Sequence, residues 1–253
     1  MLIKSIKTED LITEVYSTRA EMGKAAAAEA AKAIREVLAE KEYANVIFAA
    51  APSQNEMLEA LLLEDLDFSR INAFHMDEYA GLGINDAQSF ATYLYEHIFS
   101  RAPFASINYV PAKDEPAVAC AKYTELLQNN PPDVVCMGIG ENGHIAFNDP
   151  PVADFNDPYL IKKVELDEVC RMQQVHDGCF PSLDRVPQYA LTLTVPALLS
   201  AKRLICTVPA ATKAAAVKAT LYGEFGEICP ATSLRRHKGA KMFLDQDSAK
   251  EVL

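Results

Sequence analysis

Asp133-Val-Val-Cys-Met-Gly-Ile139, followed at once by Gly140-Glu-Asn-Gly-His-Ile-Ala-Phe-Asn-Asp-Pro150, is the stretch on which the fold turns. Its first part is an unbroken apolar run, without the two-residue alternation of a sheet that has one wet face. Such a run predicts a strand of a parallel sheet covered on both sides. Its second part is polar and rich in glycine, so the chain leaves the sheet there.

Similar runs recur on both sides of this segment. Upstream, Ala44-Asn-Val-Ile-Phe-Ala-Ala50 and Ile71-Asn-Ala-Phe-His-Met76 read as buried strands. Helical patterns separate them, over 21–42, 55–63, 88–99 and 116–127. In the first, Ala27, Ala30, Ala31, Ile34, Val37 and Leu38 recur at three- and four-residue steps. Downstream, strands are expected over 189–195, 203–208 and 241–244, with a helix over 212–222. This alternation predicts an α/β fold in three layers, a mostly parallel central sheet flanked by helices. With no linker, repeat or low-complexity tract in the sequence, residues 1–253 read as a single domain. The exception is 150–187, rich in Pro, Asp and Asn and weak in periodicity, which is expected to form a lid-like insertion beside the site.

Composition narrows the function. Half of the 253 residues are hydrophobic and 23% are charged, an ordinary globular balance. No apolar stretch is long enough to span a bilayer, and residues 1–10 alternate apolar and charged residues, unlike a secretory leader. The net charge of −11 opposes a nucleic-acid scaffold, which needs a basic face. It leaves room for a small anion held by a few local donors. The six cysteines make no C-x-x-C pair, which argues against zinc. Cys136 and Cys206 lie in strand-like runs and read as packed thiols. A reducing, cytoplasmic setting is the expectation, with no membrane and no nucleic-acid partner.

In open α/β sheets, ligands bind beyond the carboxyl ends of the strands. Three such ends are chemically unusual: Ala51-Pro-Ser-Gln-Asn-Glu56, Asp77-Glu-Tyr-Ala-Gly-Leu82 and the 138–150 loop. Gly138-x-Gly140-x-x-Gly143 after a strand is also a dinucleotide fingerprint, but that motif opens a long helix early in a fold. Here Pro150 and Pro151 follow within eight residues of Gly143. The glycines instead fit close approach to a small ligand. Glu141, Asn142, His144, Asn148 and Asp149 crowd this exit, and a functional His144 is preferred over a merely satisfied loop histidine. Asp77 is either a turn former or a carboxylate base tuned by partial burial. Tyr79 reads equally as a sugar contact or as packing. His75 is expected in the core, and Arg235-Arg-His-Lys238 as a solvated turn.

Phe74-His-Met-Asp-Glu-Tyr-Ala-Gly-Leu82 resembles the "MDEY-x-GL" signature of glucosamine-6-phosphate deaminases. The 138–150 segment resembles their "GIG-x-[ND]-GHI-x-FNEP", and Val186-Pro-Gln-Tyr-Ala-Leu-Thr192 their "VP-x-YALT" strand. The resemblance spans most of the chain in order. It implies a Rossmann-like fold shared with 6-phosphogluconolactonases and ribose-5-phosphate isomerases. It also implies conversion of an amino-sugar phosphate and water to a keto-sugar phosphate and ammonia, without metal or organic cofactor.

By the same matching, Asp77 carries a proton between C2 and C1, while Asn142, His144 and Asp149 form the ring-opening group. Ser53, Glu78, Gly143, His176 and Lys213 are expected to bind substrate, Lys213 at the phosphate. A small sugar phosphate is the implied partner, and a homo-oligomer is an open expectation. Three departures stand out. Asp149 replaces the usual Glu, Asn142 an Asp of some members, and the first loop, Ala50-Ala-Pro-Ser-Gln-Asn55, lacks the family's glycines and threonines. The family's phosphate arginine also has no direct match. His176, or less directly Arg171, falls nearest in sequence, and galactosamine 6-phosphate becomes an alternative substrate. Two rivals remain: a lactonase of the same fold, and a non-catalytic sugar-phosphate sensor.

Overall fold

A computed structural model describes residues 1–176 and 178–253; residue 177, inside the expected lid, lies outside the described residues. β1 (Leu2–Thr8) and β2 (Leu11–Tyr16) form an antiparallel hairpin. α1 (Arg19–Glu40) follows, capped by Thr18, whose side chain accepts the Glu21 N–H. Its buried face is largely Ala26, Ala27, Ala30, Ala31 and Ile34. Small side chains there let the helix lie close to the sheet.

β3 (Ala44–Phe48), α2 (Asn55–Leu61), β4 (Ile71–His75), β6 (Ser106–Asn108), α4 (Pro116–Asn129) and β7 (Val134–Met137) continue the expected alternation. Between β4 and β6 come β5 (Asp77–Tyr79) and α3 (Phe90–Leu94), the latter running on in a wider turn to Phe99. After β7 the chain forms β8 (Ile161–Glu165), α5 (Glu168–His176), β9 (Tyr189–Leu193), α6 (Val195–Leu199), β10 (Arg203–Val208), α7 (Ala214–Tyr222) and β11 (Ala240–Asp245).

The main sheet has the order β1-β2-β11-β10-β7-β3-β4-β6. Every pairing in it is parallel except that of the hairpin. Chain order runs outward from β3 through β4 to β6, then returns to β7 on the other side of β3. The direction reverses between β3 and β7, where a crevice opens at the strands' carboxyl ends. Apolar clusters pack on both faces, one around Val135, Met137 and Leu204, the other around Phe48, Ile34 and Phe243. Cys136 and Cys206 are fully buried free thiols, as expected.

Two expectations need correction. The strand near 189–195 is not in the parallel sheet: β9 lies between β5 and β8 in a separate, three-stranded antiparallel sheet. The 150–187 segment is not merely irregular, because it supplies β8 and α5. In β8 only Ile161 and Val164 are buried, too few apolar positions to betray a period.

Candidate active site

Carboxyl ends of four neighbouring strands, β4, β3, β7 and β10, meet at one cleft of about 790 Å³, counted out to open solvent. The Gly138 loop is shaped by its glycines. A side chain at Gly138 would press on Gln54 Nε2 at 3.0 Å and the Thr207 carbonyl at 3.2 Å, and one at Gly140 would overlap the His144 ring itself. Gly143 turns the chain at φ +81°. The Gly140 N–H donates to the His144 carbonyl (2.9 Å), closing a tight loop that presents the imidazole to the cleft.

His144 is held from two sides. Its backbone N–H donates to Asn142 Oδ1 (3.0 Å), and its Nδ1 lies 2.8 Å from Asp149 Oδ1. Asn142 Nδ2 donates to the same Asp149 oxygen at 2.9 Å. Burial by itself would raise the Asp149 carboxyl. The bond and charge of His144, with donors on Asn142 and Cys170, outweigh it and hold that carboxyl below its ordinary value. An anionic Asp149 braces the ring at Nδ1 and leaves Nε2 outside that contact. Asn148 ties the loop to the small sheet, its Nδ2 donating to the carbonyls of Ile145 and Leu193. His144, Asp149 and Cys170 also offer ligand atoms within 4.8 Å of one another, the one potential metal set among the described residues. Two of those atoms already engage each other.

Asp77 opens β5, pairs in register with Thr192, and lines the cleft. Burial raises its proton affinity well above that of an ordinary aspartate, and the neighbouring Glu78 charge adds to this. Successive strand residues face opposite ways, so Glu78 points into the fold. It accepts N–H groups of Tyr79, Phe90 and Ala91 at 2.9, 3.2 and 2.9 Å, binding β5 to the start of α3. Despite these donors, burial pushes its carboxyl up to about 7. His75, 3.6 Å away and fully buried, is pushed down to about 3 by burial, which keeps it neutral.

Ser53 and Lys213 line the cleft with Asp77 and His144. Ser53 sits in a single helical turn after β3, and Lys213 ends a similar turn after β10, where Ala210 adopts φ +80°. Asn142 and Asp149 stand behind His144. Other expected binding residues lie elsewhere. Glu78 is occupied as described. The Gly143 N–H donates to the Gly140 carbonyl, so this glycine shapes the turn. His176 is half exposed beside Glu141 (3.5 Å), outside the cleft lining. Arg171 Nη2 donates to the carbonyls of Leu183 and Val186, bracing the far end of the lid. Tyr79 is packing: the rings of Phe90, Phe147 and Phe180 lie 4.8, 5.3 and 5.4 Å from its own. Arg235, expected in a solvated turn, is buried and donates to the Gly223 carbonyl.

Among the polar cleft residues that sequence reading missed are Arg19 at the start of α1, Thr212 beside Lys213, and Gln173 and Gln174 on α5. Both glutamines are buried, and Gln173 Oε1 accepts the Glu141 N–H (2.9 Å). One signal was present for Arg19, since a cation in a helix's first turn opposes the helix dipole. Buried amides on a lid helix are a comparable signal, but only once the helix is known.

An open α/β sheet whose switch point gathers a carboxyl acid, a carboxylate-braced imidazole and a lysine defines the class. The chain belongs to the family of glucosamine-6-phosphate isomerases and 6-phosphogluconolactonases, which matches residues 17–243. Within that family its similarity to deaminases is high. It is 36% identical over 219 residues to the glucosamine-6-phosphate deaminase of Bacillus cereus (strain G9842), covering 86% of this chain and 81% of that one. A solved monomeric glucosamine-6-phosphate deaminase superposes with a TM-score of 0.86 at 28% identity, covering 94% of this chain and 99% of the other. The 6-phosphogluconolactonase of Thermotoga maritima shares the fold, with a TM-score of 0.76 at 20% identity over 93% and 99% of the two chains. Among the described residues, no helix is long and apolar enough to cross a membrane.

Proposed function

We propose that the chain is an isomerising deaminase of a hexosamine 6-phosphate, glucosamine 6-phosphate or its galactosamine counterpart. The observation that carries this reading is the presence of Asp77 and His144 on the walls of one cleft that the buried Lys213 also lines. Lys213 and Ser53 hold the phosphate. His144, oriented by Asp149 and Asn142, moves a proton from the anomeric hydroxyl to the ring oxygen and so opens the sugar.

Asp77 then takes the C2 proton, which the C1 carbonyl acidifies, leaving an enolamine. A carboxyl with raised proton affinity retains that proton long enough to deliver it to C1. The product is a ketimine at C2. Water adds there, ammonia leaves, and a 2-keto sugar phosphate remains. No step needs an oxidant or an external acid.

Ammonia release from hexosamine 6-phosphates, run beside hydrolysis of 6-phosphogluconolactone, tests the reading. Ammonia release with D77N inactive is expected. In D77N, solvent deuterium should no longer enter the substrate at C2, while ligand binding persists. Lactone hydrolysis without ammonia release would move the chain to the other branch of its family. Unchanged deuterium incorporation in D77N would remove Asp77 from its role.

A further inference from the structure

We propose that Arg19 supplies the guanidinium that grips the anionic end of the substrate, a task performed from the first turn of α1. This rests on the proposed sugar-phosphate function and goes beyond it, because neither residue suggested by sequence matching is placed to do the work. Arg171 is spent on two carbonyls at the end of the lid, and His176 lies outside the cleft.

Arg19 lines the same cleft as Ser53, Thr212 and Lys213. Two contacts fix its orientation. Nη2 donates to the carbonyl of Pro52, the residue before Ser53, and Nε lies 2.7 Å from Glu56 Oε1. Among the described residues nothing accepts from Nη1. The fork is therefore held along one edge by the loop after β3, with the other edge left for a ligand. Planar, permanently charged donors of this kind match a phosphate's oxygens, often two at a time.

Charge placement supports the same conclusion. In a chain of net charge −11, Arg19 and Lys213 bring two cationic side chains to the walls of one cleft. Arg19 also sits where the helix dipole disfavours a cation. Glu56 balances it at 2.7 Å, and an incoming phosphate would share that role. The first loop, where Pro52 brings no N–H and the alanines no hydroxyl, then has a compensation: a side-chain fork brought in from a different element.

The test uses the full chain, R19M, R19K and E56Q, with inorganic phosphate and hexosamine 6-phosphate as probes. In R19M the KM for the sugar phosphate should rise roughly 10- to 100-fold, the range for a lost charged hydrogen bond, with kcat changed less than about threefold. Thermal protection by inorganic phosphate should disappear in R19M and survive in part in R19K. E56Q frees the guanidinium and should tighten phosphate binding. R19M with parental phosphate affinity, or E56Q with weakened phosphate binding, would show Arg19 to be only a strut between α1 and α2. If the parent releases no ammonia but its phosphate protection depends on Arg19, the reaction assignment fails and this inference stands. If R19M does not fold, R19K and E56Q decide the matter.

Discussion

Gly140→Ala tests whether the loop after β7 exists to place an imidazole. Gly140 is not among the glycines of positive φ, so alanine there meets no left-handed backbone strain. Its Cβ would instead fall within 2.5 Å of three atoms of the His144 ring, where ordinary contact is 3.4–4 Å. The ring must retreat by about 1 Å, and its 2.8 Å link to Asp149 cannot survive that in place. A displacement of ~1 Å in a reacting group costs about 10²-fold in rate, or ~2.7 kcal/mol of barrier. The stability cost of overpacking is about 1–3 kcal/mol. The assay is kcat for ammonia release, with a melting curve and phosphate binding measured alongside. A double-mutant cycle with His144→Ala sharpens it: with the ring gone, the three nearest contacts of the added methyl vanish, and G140A should then cost far less. A G140A enzyme within threefold of parental kcat, or equal losses in both backgrounds, would refute the reasoning.

Other perturbations address separate links. Glu78 binds protons more tightly folded (about 7) than in a free side chain (4.5). Its contribution is therefore full below about pH 4.5 and is lost as pH rises to about 7. At ~1.4 kcal/mol per unit, ionising it costs roughly 3 kcal/mol, and Asp77 adds with the same sign. Urea midpoints of the parent should fall across that window and those of E78Q should fall less; superimposable curves would contradict the assignment. Asp149→Asn removes the anion behind His144 and should forfeit part of the roughly 10²–10⁴-fold that a placed proton-transfer group contributes. The measurement is kcat with phosphate binding as control, and a parental rate would detach Asp149 from the site. Gly143→Ala forces a side chain to φ +81° and brings its Cβ to 2.5 Å from Cys229 Sγ, so the melting temperature should drop. No drop would mean that the turn can relax.

The parts of the fold that were legible are those with long local patterns. The apolar run 133–139 and the alanine stripe of α1 each report one environment over many residues, and periodicity captures that. The small sheet was not legible, because β5, β8 and β9 have three to five residues each and find their partners far along the chain. Strand alternation also explains why Asp77 and Glu78, adjacent in a motif, part company: one faces the cleft, the other caps α3. The N-terminal hairpin is the converse case: residues 1–10 alternate as a strand does, yet with no apolar face of their own to bury they signal no partner. At the site, the 138–150 loop carried its own chemistry in one contiguous segment. Arg19 could not be found that way. Nothing near it in sequence resembles a binding motif, and only the packing of α1 against α2 brings it beside the loop after β3.

One residue, Met76, separates β4 of the large sheet from β5 of the small one, and Asp77 stands at that crossing. The acid is thus riveted between two hydrogen-bonded ladders, while the imidazole is lashed to β9 through Asn148. Gln173 and Gln174 ride on α5, which follows β8 closely and is pinned to the 138–150 loop where Gln173 Oε1 accepts the Glu141 N–H. A shift of that helix is therefore transmitted to the loop that carries the imidazole.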